Sequence, residues 1–133
     1  RGAGTAAYEI EPDLALAVDT TPVGDILGVK MQTELGKGPA IKVRDVFMIS
    51  DPRVVRWMET GAKQAGVVCQ MEVLDLGTTD ARTMQIAKAG MPTGALSLPC
   101  RYVHSPSEVV DMSDLTNAVK LLTHLLSHEI TLK

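Results

Sequence analysis

An α/β fold, with a mixed and partly parallel sheet flanked by helices, is what this sequence predicts, and three features predict it. Short apolar runs at residues 14–20, 40–46, 67–74 and 96–102 alternate with segments of helical character. Most of the connections between them are short, as in an α/β layer. The run 14–20, LALAVDT, is apolar without alternation, the pattern of a strand covered on both faces and therefore of a parallel sheet.

Taken in order, residues 2–10 read as the middle of a helix, because no Ser, Thr, Asp or Asn precedes Ala3 to cap it. A chain that starts with Arg1 inside a helix is expected to be a piece of a longer one. Pro12 and Asp13 end this helix, and Asp19 closes the first strand. Residues 24–39 are rich in Gly and polar groups without a period, so they form one long loop of the kind that is usually functional. GKGP at Gly36 to Pro39 lacks the Walker spacing and is assigned to backbone turning. Asp51 and Pro52 open a helix that carries Val54, Val55, Trp57, Met58 and Ala62 and stops at Gly66. A helix over 79–89 ends at Gly90. A last amphipathic helix starts at Asp111 or Ser113, with Leu115, Ala118, Val119, Leu122, Leu125 and Leu126 as its apolar stripe.

With 133 residues and 45% hydrophobic content the chain is one domain, large enough to bury roughly two-thirds of its unfolded surface. A net charge of −3 without a basic block, and only four aromatic residues, argue against a nucleic-acid partner. No apolar run approaches membrane-spanning length and no signal peptide is visible, so no membrane partner is expected. Cys69 and Cys100 are too few and too far apart for a disulfide framework, and free thiols in a cytoplasmic setting are the expectation.

The stretch LSLPCRYVHSPSE, residues 96–108, carries the strongest local signal. Pro99 either ends the strand or confines it to an edge, and His104 falls just past its end. Ser105, Pro106 and Glu108 match a helix N-terminus, with Ser as cap, Pro at the first helical position and Glu reaching back. A histidine clamped there suits a metal ligand or a base, although from this segment alone a structural loop histidine is the better reading. Asp19 sits where open sheets place ligand-binding residues, at the carboxyl edge, and serves a turn cap equally well. His124 and His128 stand four apart and are able to chelate a metal, but the zincin glutamate is replaced by Leu125, and a solvated pair is the better reading.

The motifs ALAVDTTPVGD at Ala15, LGKGPAIKV at Leu35, LGTTDA at Leu76, AGMPTGALSLPCRYVHSPSE at Ala89 and the following DMSDLTNAVKLL run over nearly all of the chain. In them the sequence resembles the C-terminal part of the catalytic domain of the tetrahedral and glutamyl aminopeptidases, co-catalytic metallopeptidases some of which bear an endoglucanase label. The resemblance implies that residues 1–133 are the C-terminal portion of that domain. It makes Asp19 and His104 ligands to two divalent ions, zinc or cobalt, which suits a carboxylate and a neutral imidazole.

The loop residues Gly77, Thr78 and Asp80, together with Arg101, are expected to line the substrate side. Thr78 and Thr79 serve equally as helix caps, and Arg101 as an ion-pair partner. By the same resemblance the first metal-binding histidine, a bridging aspartate, the paired glutamates that include the general base, and an inserted assembly domain all lie upstream of Arg1. The implied activity is hydrolysis of N-terminal residues from peptides by a large homo-oligomer, with this segment inactive by itself. Two other readings stand beside it: a carbohydrate hydrolase, against which the scarcity of aromatic residues argues, and a non-catalytic fragment or assembly module.

Overall fold

A computed structural model describes residues 1–132 of the chain. Its elements, in order, are α1 (Gly2–Ile10), β1 (Ala15–Pro22), β2 (Ala40–Arg44), α2 (Pro52–Ala65), β3 (Gln70–Val73), α3 (Ala81–Gln85), β4 (Thr93–Arg101), β5 (Val109–Val110) and α4 (Met112–Leu126). The sheet has the order β1-β4-β2-β3, with β5 added to β4. β1 runs parallel to β4 and β2 parallel to β3, while β2 and β4 are antiparallel. The expected mixed, partly parallel sheet flanked by helices is therefore the fold.

Two clusters hold the layers together. On one face α2 and α4 pack Val54, Met58, Ala62, Leu121 and Leu125 against Ile41 of β2 and Leu96 of β4. A second, smaller cluster joins Ala17 of β1 and Ala95 of β4 to Met48 and to Ala81 of α3. α2 is bounded as its sequence implies: the Asp51 side chain accepts a hydrogen bond from the Arg53 N–H, Pro52 opens the helix, and Gly66 closes it in the left-handed region at φ 62°. The tight approach of α2 to α4 depends on Gly61, where an added Cβ would lie 2.4 Å from Leu125 Cδ2.

Several expected boundaries move. Asp19 does not close its strand, because β1 continues through the β-branched Thr20 and Thr21 and pairs with β4 as far as Pro22 and Cys100. Pro99 neither ends β4 nor marks an edge; it lies inside the most extensively paired strand. The ladder to β2 covers only Leu96 and Ser97, and that to β5 only Cys100 and Arg101, so Pro99 falls in the gap between them, where a residue without an N–H is tolerated. Ser105, Pro106 and Glu108 start no helix. Ser105 Oγ accepts from the Ser107 N–H at 3.2 Å and Glu108 Oε1 from the His104 N–H at 2.7 Å, so the capping groups are used up in a turn that leads into β5.

The helix expected over 79–89 shortens to Ala81–Gln85, and the chain beyond it turns with Lys88 at φ 49°. The strands expected at 40–46 and 67–74 shorten to β2 and β3. On α4 the buried positions are Asp114, Ala118, Leu121 and Leu125, so the helix is rotated from its expected stripe and leaves Leu115, Val119 and Leu126 exposed.

Candidate functional site

Asp19 lies in β1, and His104 follows β4, the parallel neighbour of β1. Asp19 sits in β1 opposite Ser97 of β4, and His104 lies three residues beyond the last residue of β4. The Asp19 carboxylate is exposed and is oriented by the Thr20 N–H, which donates to Oδ1 at 2.8 Å, leaving its other oxygen without a partner among the described residues. It lines a cavity of about 320 Å³ together with Ala3, Val18, Asp80 and Met84. His104 is exposed as well. Its backbone is left-handed at φ 66°, as is that of Tyr102 at φ 59°, so two residues with side chains hold a conformation of about 1–3 kcal/mol strain each. The hydrogen bond from the His104 N–H to Glu108 secures the turn, and the imidazole makes no hydrogen bond among the described residues.

A carboxylate oxygen and an imidazole, both unengaged, are suitable donors for divalent zinc or cobalt. They fit as two contributors and not as a finished site: among the described residues no group of three or more His, Cys, Asp or Glu side chains is arranged to hold a metal. His104 is not among the residues lining the Asp19 cavity.

The loop with Gly77, Thr78 and Asp80 is fixed by a residue that the sequence did not single out. Asp45 is buried, and its Oδ1 accepts from the Phe47 and Met48 N–H groups, each at 2.9 Å. Its Oδ2 takes the Thr78 hydroxyl at 3.0 Å and the Thr79 N–H at 3.2 Å. The Gly77 carbonyl accepts from the Val46 N–H at 3.3 Å, and Gly77 stands at φ 94°. One carboxylate thus ties two loops together, and Asp80 is presented to the Asp19 cavity without making a cap bond of its own. An Asp inside the run expected as a strand was the available signal, since Asp is depleted in strands.

Arg101 grips Asp25 with a fork, Nε to Oδ1 at 3.1 Å and Nη2 to Oδ2 at 2.7 Å. This bond holds the Asp25 carboxyl below its usual range and ties the 24–39 loop to the end of β4. The GKGP turn serves the backbone as expected: Gly36 and Gly38, at φ 73° and 91°, donate their N–H groups to the buried Asp114 at 2.8 and 2.7 Å. Sequence reasoning also missed a buried polar cluster. The Lys42 ammonium pairs with Glu72, both side chains fully buried, and the Thr21 hydroxyl donates to the same Glu72 oxygen at 2.6 Å. Glu72 Oε2 and the buried Ser97 Oγ, the latter beside Asp19 in the ladder, have no partner among the described residues. Cys69 and Cys100 are free thiols, and burial pushes Cys69 up to about 11.

The model of the M42 glutamyl aminopeptidase family matches residues 1–121. The lysyl aminopeptidase of Pyrococcus furiosus is 38% identical over 128 residues, which cover 95% of this chain and 36% of that protein. An aminopeptidase structure from the archaeon Desulfurococcus kamchatkensis aligns with TM-score 0.88 at 43% identity, covering 97% of this chain and 38% of the other. The Pyrococcus horikoshii TET1 peptidase, described as able to assemble into a tetrahedron or a large octahedral shell, aligns with TM-score 0.80 at 32% identity, over 97% of this chain and 37% of its own. The chain thus spans between a third and two-fifths of the length of these relatives.

Proposed function

The chain belongs to the M42 glutamyl aminopeptidase family, and on that premise we propose that it supplies part of the active-site domain of a metal-dependent aminopeptidase, which hydrolyses N-terminal residues from peptides. The observation that carries this reading is the pair of exposed donors, Asp19 in β1 and His104 in the turn just past the carboxyl end of β4, the parallel neighbour of β1. Ligand sites in α/β sheets gather at the carboxyl ends of such strands.

In this proposal Asp19 and His104 each bind one of two divalent ions, zinc or cobalt, and the remaining ligands and the general-base glutamate lie outside these 133 residues. When bound, such a pair supplies Lewis acidity toward the scissile carbonyl and an acidified water. Asp19 presents its free oxygen because the Thr20 N–H holds the other. His104 presents its ring from a backbone whose strain and hydrogen bond to Glu108 restrict its motion. Gly77, Thr78 and Asp80 form a substrate wall kept rigid by Asp45. Arg101, whose Nε and Nη2 are spent on Asp25, has Nη1 left for a polar group of the substrate.

Self-association into a large homo-oligomer is part of the proposal, by similarity to the TET1 peptidase. So is a cytoplasmic location, where free thiols such as Cys69 and Cys100 persist. The test is an assay of the intact parent protein on amino-acid amides and on a soluble glucan, each with and without a chelator. Chelator-sensitive release of the amino acid, lost in Asp19→Asn and in His104→Ala, is expected. Cleavage of the glucan instead, or full peptidase activity in both variants, would overturn it.

A further inference from the structure

The cleft of about 410 Å³ between α2 and α4 lies apart from Asp19 and is lined by Trp57, Gln64, His124, His128 and Glu129, among others. His124 stands in the last turn of α4, and the helical turn is carried on past Leu126 by the Ser127 N–H, which donates to the Thr123 and His124 carbonyls. A residue four places on therefore stays on the same face. The two imidazoles face one another with centroids 4.2 Å apart and planes inclined by 36°.

Each ring has one nitrogen committed to a protein oxygen. His128 Nδ1 lies 2.7 Å from the His124 carbonyl, which only accepts, so Nδ1 carries the proton and Nε2 keeps its lone pair. His124 Nε2 lies 3.1 Å from Gln64 Oε1, and donation there leaves Nδ1 with its lone pair. Donation of the second ring nitrogen to a carbonyl oxygen is what fixes tautomer and orientation in metal-ligating histidines. Glu129 adds a carboxylate to the cleft wall, and the nearby Arg53 is neutralised by a fork to Asp51 at 3.0 and 2.7 Å.

From this arrangement we propose that His124 and His128 bind one imidazole-preferring divalent ion, copper(II), nickel or zinc, at a surface site separate from the one that holds Asp19. Two nitrogens on one ion at 2.0–2.1 Å stand about 3 Å apart, and binding requires the two rings, now 4.2 Å apart and tilted by 36°, to turn so that their free nitrogens point at a common ion. No third ligand is in place among the described residues, so water fills the other positions and the site is a weak one.

Trp57, the chain's single tryptophan, lines the same cleft and reports on it. The 133-residue chain is titrated with copper(II) while tryptophan emission is followed. Saturable quenching that fits a single site per chain is expected, abolished by His124→Ala and by His128→Ala, and shifted to about 10-fold or higher copper in Gln64→Ala. Asp19→Asn and His104→Ala should leave the curve unchanged, which separates this site from the proposed catalytic one. Quenching that survives both histidine substitutions, or that disappears with Asp19 and His104, would overturn the proposal. Circular dichroism of each variant establishes that the fold is retained, and neither histidine is buried in the core.

Discussion

Asp114 illustrates how much of this fold rests on single polar side chains. It is fully buried on α4, and both its oxygens are spent on the N–H groups of Gly36 and Gly38, nearly eighty positions earlier in sequence. Gly38 has no room for a side chain, since a Cβ there would come within 2.0 Å of the Val68 carbonyl oxygen. Replacing Asp114 by alanine leaves the buried Gly38 N–H without its partner, at about 1–3 kcal/mol, and removes a bond worth about 1 kcal/mol net from the exposed Gly36 N–H. Urea denaturation of Asp114→Ala should therefore show a loss of about 2–4 kcal/mol, and a loss below 0.5 would mean that water replaces the carboxylate. Asp25 and Asp51 have lowered carboxyl pKa values, first because of hydrogen bonds from Arg101 and Arg53 respectively. A carboxyl whose folded pKa is below its unfolded value of 3.8 adds stability that is fully present above 3.8 and is lost as the pH falls through the folded value. Melting temperature should therefore decline as the pH is lowered past that point, and the decline should be shallower in Asp51→Asn. An equally steep decline in the variant would remove Asp51 from the account.

At the scale of elements, what was legible in the sequence was the order of strands and helices, and what was not was where partners decide the outcome. The start and stop of α2 could be read because Asp51, Pro52 and Gly66 act on their own backbone. Ser105, Pro106 and Glu108 carry the same local chemistry, yet β5 pairs with Cys100 and Arg101 and pulls the segment into a turn, a tertiary contact that no local pattern announces. Asp19 and His104 stand out only through motif resemblance; Lys42 and Glu72 do not stand out, because a buried charge in a strand looks like an outward-facing one until its partner is known, nor does Asp45, whose bonds come from loops that meet only in the fold. The rotation of α4 has the same origin. Leu, Val and Ala at 115, 118, 119, 122, 125 and 126 form a broad stripe, and the choice of face was made by Asp114 bonding to the glycine turn. This rotation makes a sharp contrast testable by chemical denaturation. Leu121→Ala removes a fully buried side chain and should cost about 2–5 kcal/mol, while Val119→Ala, at a position 57% exposed, should stay within about 0.5 kcal/mol. Equal costs would put the apolar stripe back where periodicity alone placed it.

For the molecule as a whole, the proposed chemistry depends on groups that this chain provides only in part. By resemblance, Asp19 and His104 serve different ions, so within residues 1–133 each ion keeps one protein ligand, against the roughly three or four that zinc sites use. Two divalent charges at close range also repel strongly unless a bridging carboxylate stands between them. The general base, which the same resemblance puts outside these residues, would account for a further factor of about 10² to 10⁴ in rate. The 133-residue chain should then neither hold a metal pair tightly nor release amino acids from peptides. Zinc calorimetry on the variant with both His124→Ala and His128→Ala isolates the question from the α2–α4 cleft, and an aminopeptidase assay on the unaltered chain completes it. No tight site and no turnover are expected. Two tight sites remaining in that double variant, or turnover abolished by Asp19→Ala, would mean that the described residues complete the site by themselves, and the buried Glu72 with its unpartnered oxygen, near Thr21 at the end of β1, would be the first carboxylate to test as the missing ligand.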